Sequence, residues 1–273
     1  MQQVSEERRF YLVLGARFSG RRALLADMID GGGFANASTL VLLSPLERAD
    51  ASPLEQVGAH LDTFNLEATG AHSAPQLQVP AFEPSIRAVF LLTDGALDPV
   101  DQAEAVRDWL RKQDLELTRV LTVIHGGLLS AHPELQRWYD ACIHFSDVLI
   151  LNRREGLPQR FLGDIKLRLR KQALPCLFEL ARRDSLENPP RVLEPQARRL
   201  SLIFDAADDD ADAAHSHDDD DAFDDDAPED AADACEEDTD PWLRRQSNGQ
   251  REQRLPDITA YLPPASVSPS AAR

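Results

Sequence analysis

No run of this chain is apolar for long enough to cross a bilayer. Stretches such as residues 89–92 have strand length, well short of the roughly 20 residues a spanning helix needs. Cysteine is scarce too. Cys142, Cys176 and Cys235 are isolated in sequence and lack CxxC spacing, which argues against a disulfide framework or a cysteine-built zinc site. The opening residues, Met-Gln-Gln-Val-Ser-Glu-Glu-Arg-Arg, show no apolar core or small-residue cleavage site of a secretory leader. These absences set the expectation of a cytoplasmic protein with no membrane partner.

Positive charge is missing from one segment in particular. Between Asp205 and Asp240 there are 19 acidic residues and no Lys or Arg. The whole chain has 47 acidic and 29 basic residues, so 28 acidic face 29 basic outside that segment. The net charge of −18 therefore belongs to one stretch and says little about the rest. Asp/Ala repeats with mutual repulsion and nothing to bury are expected to stay disordered. Beyond them, residues 241–273 are polar and Pro/Ser-rich. Only Trp242, Leu243, Leu255, Ile258, Tyr261 and Leu262 there could anchor to anything, so the end reads either as short docking segments or as a frayed terminus.

What is present, from residue 10 to about 180, is an alternation of two patterns. Short apolar runs at 10–14, 39–43, 88–92, 120–124, 148–151 and 176–180 have little polar alternation, as in strands buried on both faces of a parallel sheet. Between them lie helix-length segments at 21–29, 99–112, 133–145 and 158–172, with Val106, Trp109 and Leu110 on one helical face and Pro99 at a helix start. The stretch 49–84 is less regular, with a short helix and an extra strand near 61–66 expected. The fold class is α/β: a doubly wound, mostly parallel sheet of P-loop NTPase type. The expected division is a domain over 1–183, a connector over 184–204, the acidic segment over 205–240 and a terminal segment over 241–273.

Gly15-Ala16-Arg17-Phe18-Ser19-Gly20-Arg21-Arg22 joins the first apolar run to the first helix. Gly15 and Gly20 have the spacing of the phosphate-binding loop G-x-x-x-x-G-K-[ST], whose backbone N–H groups and helix N-terminus attract phosphate oxygens. Arg21 replaces the lysine and keeps its charge, although a planar guanidinium is not equivalent to an ammonium. Arg22 replaces the hydroxyl that would hold Mg²⁺, which a cation cannot do. An anion site and an ordinary tight turn both remain open for this loop on its own.

Three later segments carry a family resemblance. Residues 89–99 (Val-Phe-Leu-Leu-Thr-Asp-Gly-Ala-Leu-Asp-Pro) resemble E-[TS]-[ST]-G-L-A-D-P, matching at Thr93, Gly95, Asp98 and Pro99, with Leu92 and Asp94 where an acid and a hydroxyl are expected. His125 stands at the acidic position ending the next strand. Residues 139–155 resemble Q-I-x-x-A-D-x-I-x-x-N-K-x-D, with Asp147 and Asn152 matching, Arg153 for lysine and Glu155 for aspartate. In order and spacing, residues 8–183 resemble the CobW-type branch of the SIMIBI GTPases, relatives of the nickel-insertion proteins HypB and UreG.

That resemblance implies a nucleotide site formed by Gly15, Ser19, Gly20, Arg21, Arg22, Asn152 and Glu155, with GTP or GDP held weakly. It also implies what is lost. The family's G-C-x-C-C metal cluster corresponds here to Gly70-Ala71-His72-Ser73-Ala74, without cysteine, and the acidic segment and a short basic end are expected in place of the family's C-terminal domain. The leading expectation is a pseudo-GTPase acting as a scaffold or regulator for a protein partner, without catalytic residues or Mg²⁺-dependent turnover. An active divergent GTPase of the metal-chaperone type is one alternative. A metal-buffering protein working through His215, His217 and Asp218 is another, set against two incidental histidines in an acidic linker. Arg160, Lys166, Arg168, Arg170, Lys171, Arg182, Arg183, Arg198 and Arg199 make the region before the acidic segment basic; these charges read either as a surface that the segment could screen or as solvated helix-face charges. Nucleic acid is not an expected partner.

Overall fold

The computed structural model describes residues 8–34, 38–48, 51–70, 73–113, 115–205 and 240–263. The acidic segment apart from its two ends, with His215, His217 and Asp218, lies outside the described residues, as do Ala71 and His72.

In chain order the elements are β1 (Arg9–Gly15), α1 (Arg21–Gly31), β2 (Thr39–Leu43), α2 (Pro45–Arg48), α3 (Ser52–Gln56), β3 (His60–Thr63), β4 (Asn65–Glu67), β5 (Gln76–Gln78) and β6 (Ala88–Leu92). Then follow α4 (Pro99–Leu110), β7 (Leu117–His125), α5 (Gly126–Ala131), α6 (Gln136–His144), β8 (Val148–Asn152), α7 (Gln159–Lys171), β9 (Leu177–Leu180) and α8 (Pro189–Leu193). Seven strands form one sheet in the order β3-β2-β6-β1-β7-β8-β9, and every pairing in it is parallel. β4 and β5 form a separate antiparallel pair.

The reason for this architecture can be read along β1. Phe10, Leu12 and Leu14 point to one face and join residues of α4 and α6, such as Val106, Trp138 and Cys142. Tyr11 and Val13 point to the other and join Leu24, Leu25 and Met28 of α1 with Val192 and Leu193 of α8. A strand buried on both faces reads as a continuous apolar run, and the sheet has to be covered twice. This is the doubly wound α/β fold of P-loop type, with β1 at its centre.

The apolar runs mark the strands of the sheet, while the helices differ in detail. The segment expected as one helix over 133–145 begins as a 3-10 turn, Pro133–Leu135, before α6. α5 and α8, of six and five residues, are too short to show a period. Phe64, buried, interrupts the strand expected over 61–66, so that β3 joins the large sheet and β4 the small one.

Asp240–Pro263 returns to the domain. Leu243 and Ile258 are buried in the core on the α4 and α6 face. Arg245 donates to Glu104 at 2.8 Å, Arg251 donates to Asp101 at 2.8 Å, and Arg251 also pairs with Glu104. His144 Nε2 lies 2.8 Å from an Asp240 carboxylate oxygen, which also accepts from Ser201. Among the described residues no helix is long and apolar enough to cross a membrane.

Candidate functional site

Parallel strands that all point one way place their following loops along one edge. The C-terminal ends of β1, β2, β6, β7 and β8 bring the Gly15–Gly20 loop, Ser44, Thr93, His125 and Asn152 to that edge, where ligands of open α/β sheets bind. The turn after β1 is made by three residues with positive φ: Gly15 at 128°, Phe18 at 62° and Gly20 at 86°. A Cβ on Gly15 would run into the Val123 carbonyl of β7. A Cβ on Gly20 would meet the side chains of Asp184 and Asn152. Both glycines are therefore required by close approach as well as by conformation.

α1 begins with two cations, Arg21 and Arg22, and has neither an acidic residue in its first turn nor a side-chain cap on Gly20. Positive charge at the positive end of a helix dipole is unfavourable and calls for a counter-anion. Glu47 of α2 supplies it. Arg21 Nη2 donates to Glu47 Oε1 at 2.6 Å, and Arg22 Nη1 donates to Glu47 Oε2 at 3.0 Å and to the Glu47 carbonyl at 3.0 Å. Arg21 also donates to the Thr93 carbonyl at 2.9 Å, and its side chain is only 2% exposed.

Arg17 is held in the same way from the other side. Its Nη2 lies 2.9 Å from both oxygens of Asp94, and Asp94 also accepts from Ser44 Oγ at 3.1 Å and from the Ala96 N–H at 2.9 Å. Gln102 of α4 fixes the Asp94 backbone, accepting from its N–H at 2.8 Å and donating to its carbonyl at 2.9 Å. Three arginines and two carboxylates thus close on one another beneath the loop. Ser19 is fully buried on the loop, and its hydroxyl has no hydrogen-bond partner among the described residues.

Asn152 Nδ2 donates to the Ser19 carbonyl at 2.8 Å and to Asp184 Oδ1 at 2.6 Å, so the end of β8 is tied to the loop. Arg153, at φ 49°, pairs with Asp184 at 2.9 Å. Glu155 is exposed, and no hydrogen bond or ion pair among the described residues joins it to Asn152. His125 caps α5, its Nδ1 accepting from the Leu128 N–H at 3.0 Å. Burial and then the Arg153 guanidinium hold its imidazole below the ordinary histidine range.

The structure therefore brings Gly15, Ser19, Gly20, Arg21, Arg22 and Asn152 into one locality, while Glu155 is exposed and, among the described residues, joins none of them by a hydrogen bond or ion pair. Glu47 and Asp184, the carboxylates that organise the site, were not among the candidates from sequence. Each stands four residues past the end of a strand of the large sheet, β2 and β9, and that position at the ligand-binding edge is the signal that would have found them. A cleft of about 240 Å³ opens here, lined by Phe18, Gly20, Arg21, Arg22, Glu47 and Arg153 among others. That is below the roughly 300–1,000 Å³ of ordinary small-molecule sites. The residues present do not fit a Mg²⁺–triphosphate: an arginine fills the hydroxyl position and the lysine's replacement is engaged internally. Among the described residues no cluster of three or more His, Cys, Asp or Glu could hold a metal ion.

No protein-family model and no curated protein matches this chain. Among solved structures it is similar to the hydrogenase maturation factor HypB from Archaeoglobus fulgidus, with 14% identity over 65% of this chain and 82% of that one and a TM-score of 0.38. It is similar to the Zn(II)-bound YjiA GTPase from E. coli, with 11% identity over 70% of this chain and 66% of that one and a TM-score of 0.36. It is also similar to the signal recognition particle receptor FtsY from Elizabethkingia anophelis in complex with GDP, with 14% identity, 76% and 67% covered and a TM-score of 0.43. At these scores the likenesses are distant, and the fold rests on the sheet order and loop themselves.

Proposed function

We propose that this chain is a CobW-like pseudo-GTPase, a protein that keeps the phosphate-loop architecture without Mg²⁺-dependent turnover and serves as a scaffold or regulator for a protein partner. One observation carries the reading: the loop's cations are bound by the protein's own carboxylates. Arg21, in the lysine's position, is buried against Glu47 and Thr93. Arg22, in the position of the Mg²⁺-binding hydroxyl, holds the other oxygen of Glu47. A bound triphosphate would have to displace a buried ion pair and would still lack a metal ligand. Removing one partner of such a pair costs about 3–5 kcal/mol, which weighs against tight binding.

Titration calorimetry of the full chain with GDP, GTP and ATP, each with and without Mg²⁺, tests this. The expected result is weak binding that is indifferent to base and to Mg²⁺, with no phosphate release. Micromolar GTP binding that tightens with Mg²⁺ and proceeds to hydrolysis would replace the proposal with an active, divergent GTPase.

A further inference from the structure

We infer that Glu47 is a built-in counter-anion of the loop, an autoinhibitory carboxylate that keeps oxyanions out, and that neutralising it opens the loop to free phosphate. The inference rests on reading the loop as a former phosphate site, but it concerns what occupies that site now.

Glu47 uses both carboxylate oxygens on the loop's cations, Oε1 on Arg21 at 2.6 Å and Oε2 on Arg22 at 3.0 Å, with Arg17 Nε 3.7 Å from Oε1. Each arginine meets the carboxylate through one Nη–H, a charge-assisted donor of the kind that also binds phosphate oxygens. Ser44 Oγ accepts from the Glu47 N–H at 3.3 Å and so helps to set the start of α2 from the end of β2. Glu47 is as buried as Arg21, both at 3% exposure, so Glu47 cannot turn to water without Arg21 losing its carboxylate partner.

The charge count points the same way. Arg17, Arg21 and Arg22 against Glu47 and Asp94 leave one net positive charge, and without the Glu47 charge they leave two. That charge would sit at the positive end of α1, beside a cleft of about 240 Å³ that Arg21, Arg22 and Glu47 line together. The space suits a single tetrahedral oxyanion better than a nucleoside triphosphate. The buried hydroxyl of Ser19, unpartnered among the described residues, lies on the same loop. Asp94 does not compensate for a missing Glu47, because Arg17, Ser44 and the Ala96 N–H already engage its oxygens.

The test compares full-length wild type, Glu47→Gln, Glu47→Asp and the surface control Glu55→Gln, titrating inorganic phosphate by calorimetry and by thermal shift, with GDP as a second arm. Glu47→Gln should bind phosphate at least about tenfold more tightly than wild type, the order expected of freeing charge-assisted donors for a new anion. Glu47→Asp, charged but shorter, should fall between them, and Glu55→Gln should match wild type. Equal gains for phosphate and GDP assign the effect to the phosphate group. A gain for GDP with none for phosphate overturns the inference, as does wild-type behaviour in both Glu47 variants. Should Glu47→Gln fold poorly, refolding it in phosphate reads the same property: recovery that depends on phosphate supports the inference, and recovery indifferent to phosphate overturns it. These outcomes leave the absence of GTP turnover in the wild type a separate question.

Discussion

Gly15 and Gly20 share a motif but not a consequence when altered. At Gly15 an added Cβ meets the main-chain carbonyl of Val123, which the central strand pairing holds in place. At Gly20 it meets the ends of two side chains, Asp184 and Asn152. Gly15→Ala should therefore cost roughly 3 kcal/mol in chemical denaturation, from positive-φ strain plus overpacking. Gly20→Ala should cost less, about 1–2 kcal/mol, because the positive-φ strain remains but the obstructing groups are side chains rather than backbone. Equal losses would mean that β1 and β7 separate more easily than their pairing implies. Asp147 is a second test at this scale. It is fully buried, accepts from the Val120 N–H at 2.7 Å, and pairs with Arg199 at 3.3 Å. Asp147→Ala should lose about 3–5 kcal/mol, the loss expected when one member of a buried pair is removed. The sequence showed the glycines because their spacing is rigidly local. It did not show Glu47, because a counter-ion 26 residues from Arg21 is chosen by the sheet, not by the chain around it.

Among elements, the apolar runs were legible because a strand covered on both faces can hold almost nothing but Val, Leu, Ile and Phe. The six apolar anchors of the C-terminal segment were legible as well, and all of them pack on the core, with Leu243 and Ile258 buried in it; the place they return to was not, because they follow no period. The segment is also attached electrostatically, to α4, and that makes it sensitive to pH. Burial alone would raise the Glu104 carboxyl, but the Arg251 and Arg245 guanidiniums outweigh it and leave the group below its ordinary value. Asp240 is likewise lowered: burial raises it, and hydrogen bonds from His144 and Ser201 more than offset that. A carboxyl depressed in the folded state stabilises fully above its unfolded value, near 4, and that contribution is lost as pH falls through the folded value. Acidification below about pH 4 should therefore loosen the C-terminal segment before the sheet, read as hydrogen exchange rising first in 240–263. Glu104→Gln should show raised exchange there already at neutral pH. His125 acts in the same sense at a higher pH. Its lowered value means that stability starts to fall as pH drops below about 6.5 and is lost through the lower folded-state value, at which protonating Nδ1 removes the acceptor that caps α5.

At the scale of the whole molecule, the charges outside the acidic segment nearly cancel, yet they are not evenly spread. Arg160, Lys166, Arg170 and Lys171 are exposed on α7, with Asp164 the only acid within that helix. Asp205 and Asp240, the two ends of the acidic segment, both touch the domain, through Arg199 and through His144 and Ser201. The 17 acidic residues of 206–239 are therefore tied at both ends to the domain carrying α7. Excising 206–239 takes the net charge from −18 to −1, since those residues include no Lys or Arg. If the segment screens the basic helix, the excised protein should be retained on a heparin column and released as salt rises, while the full chain flows through. Neutralising Lys166, Arg170 and Lys171 in the excised protein should abolish that retention. Retention unchanged by those substitutions would place the polyanion-binding charge elsewhere, and no retention at all would mean that local pairs such as Arg168–Asp140, at 2.5 Å, already balance α7 without the segment.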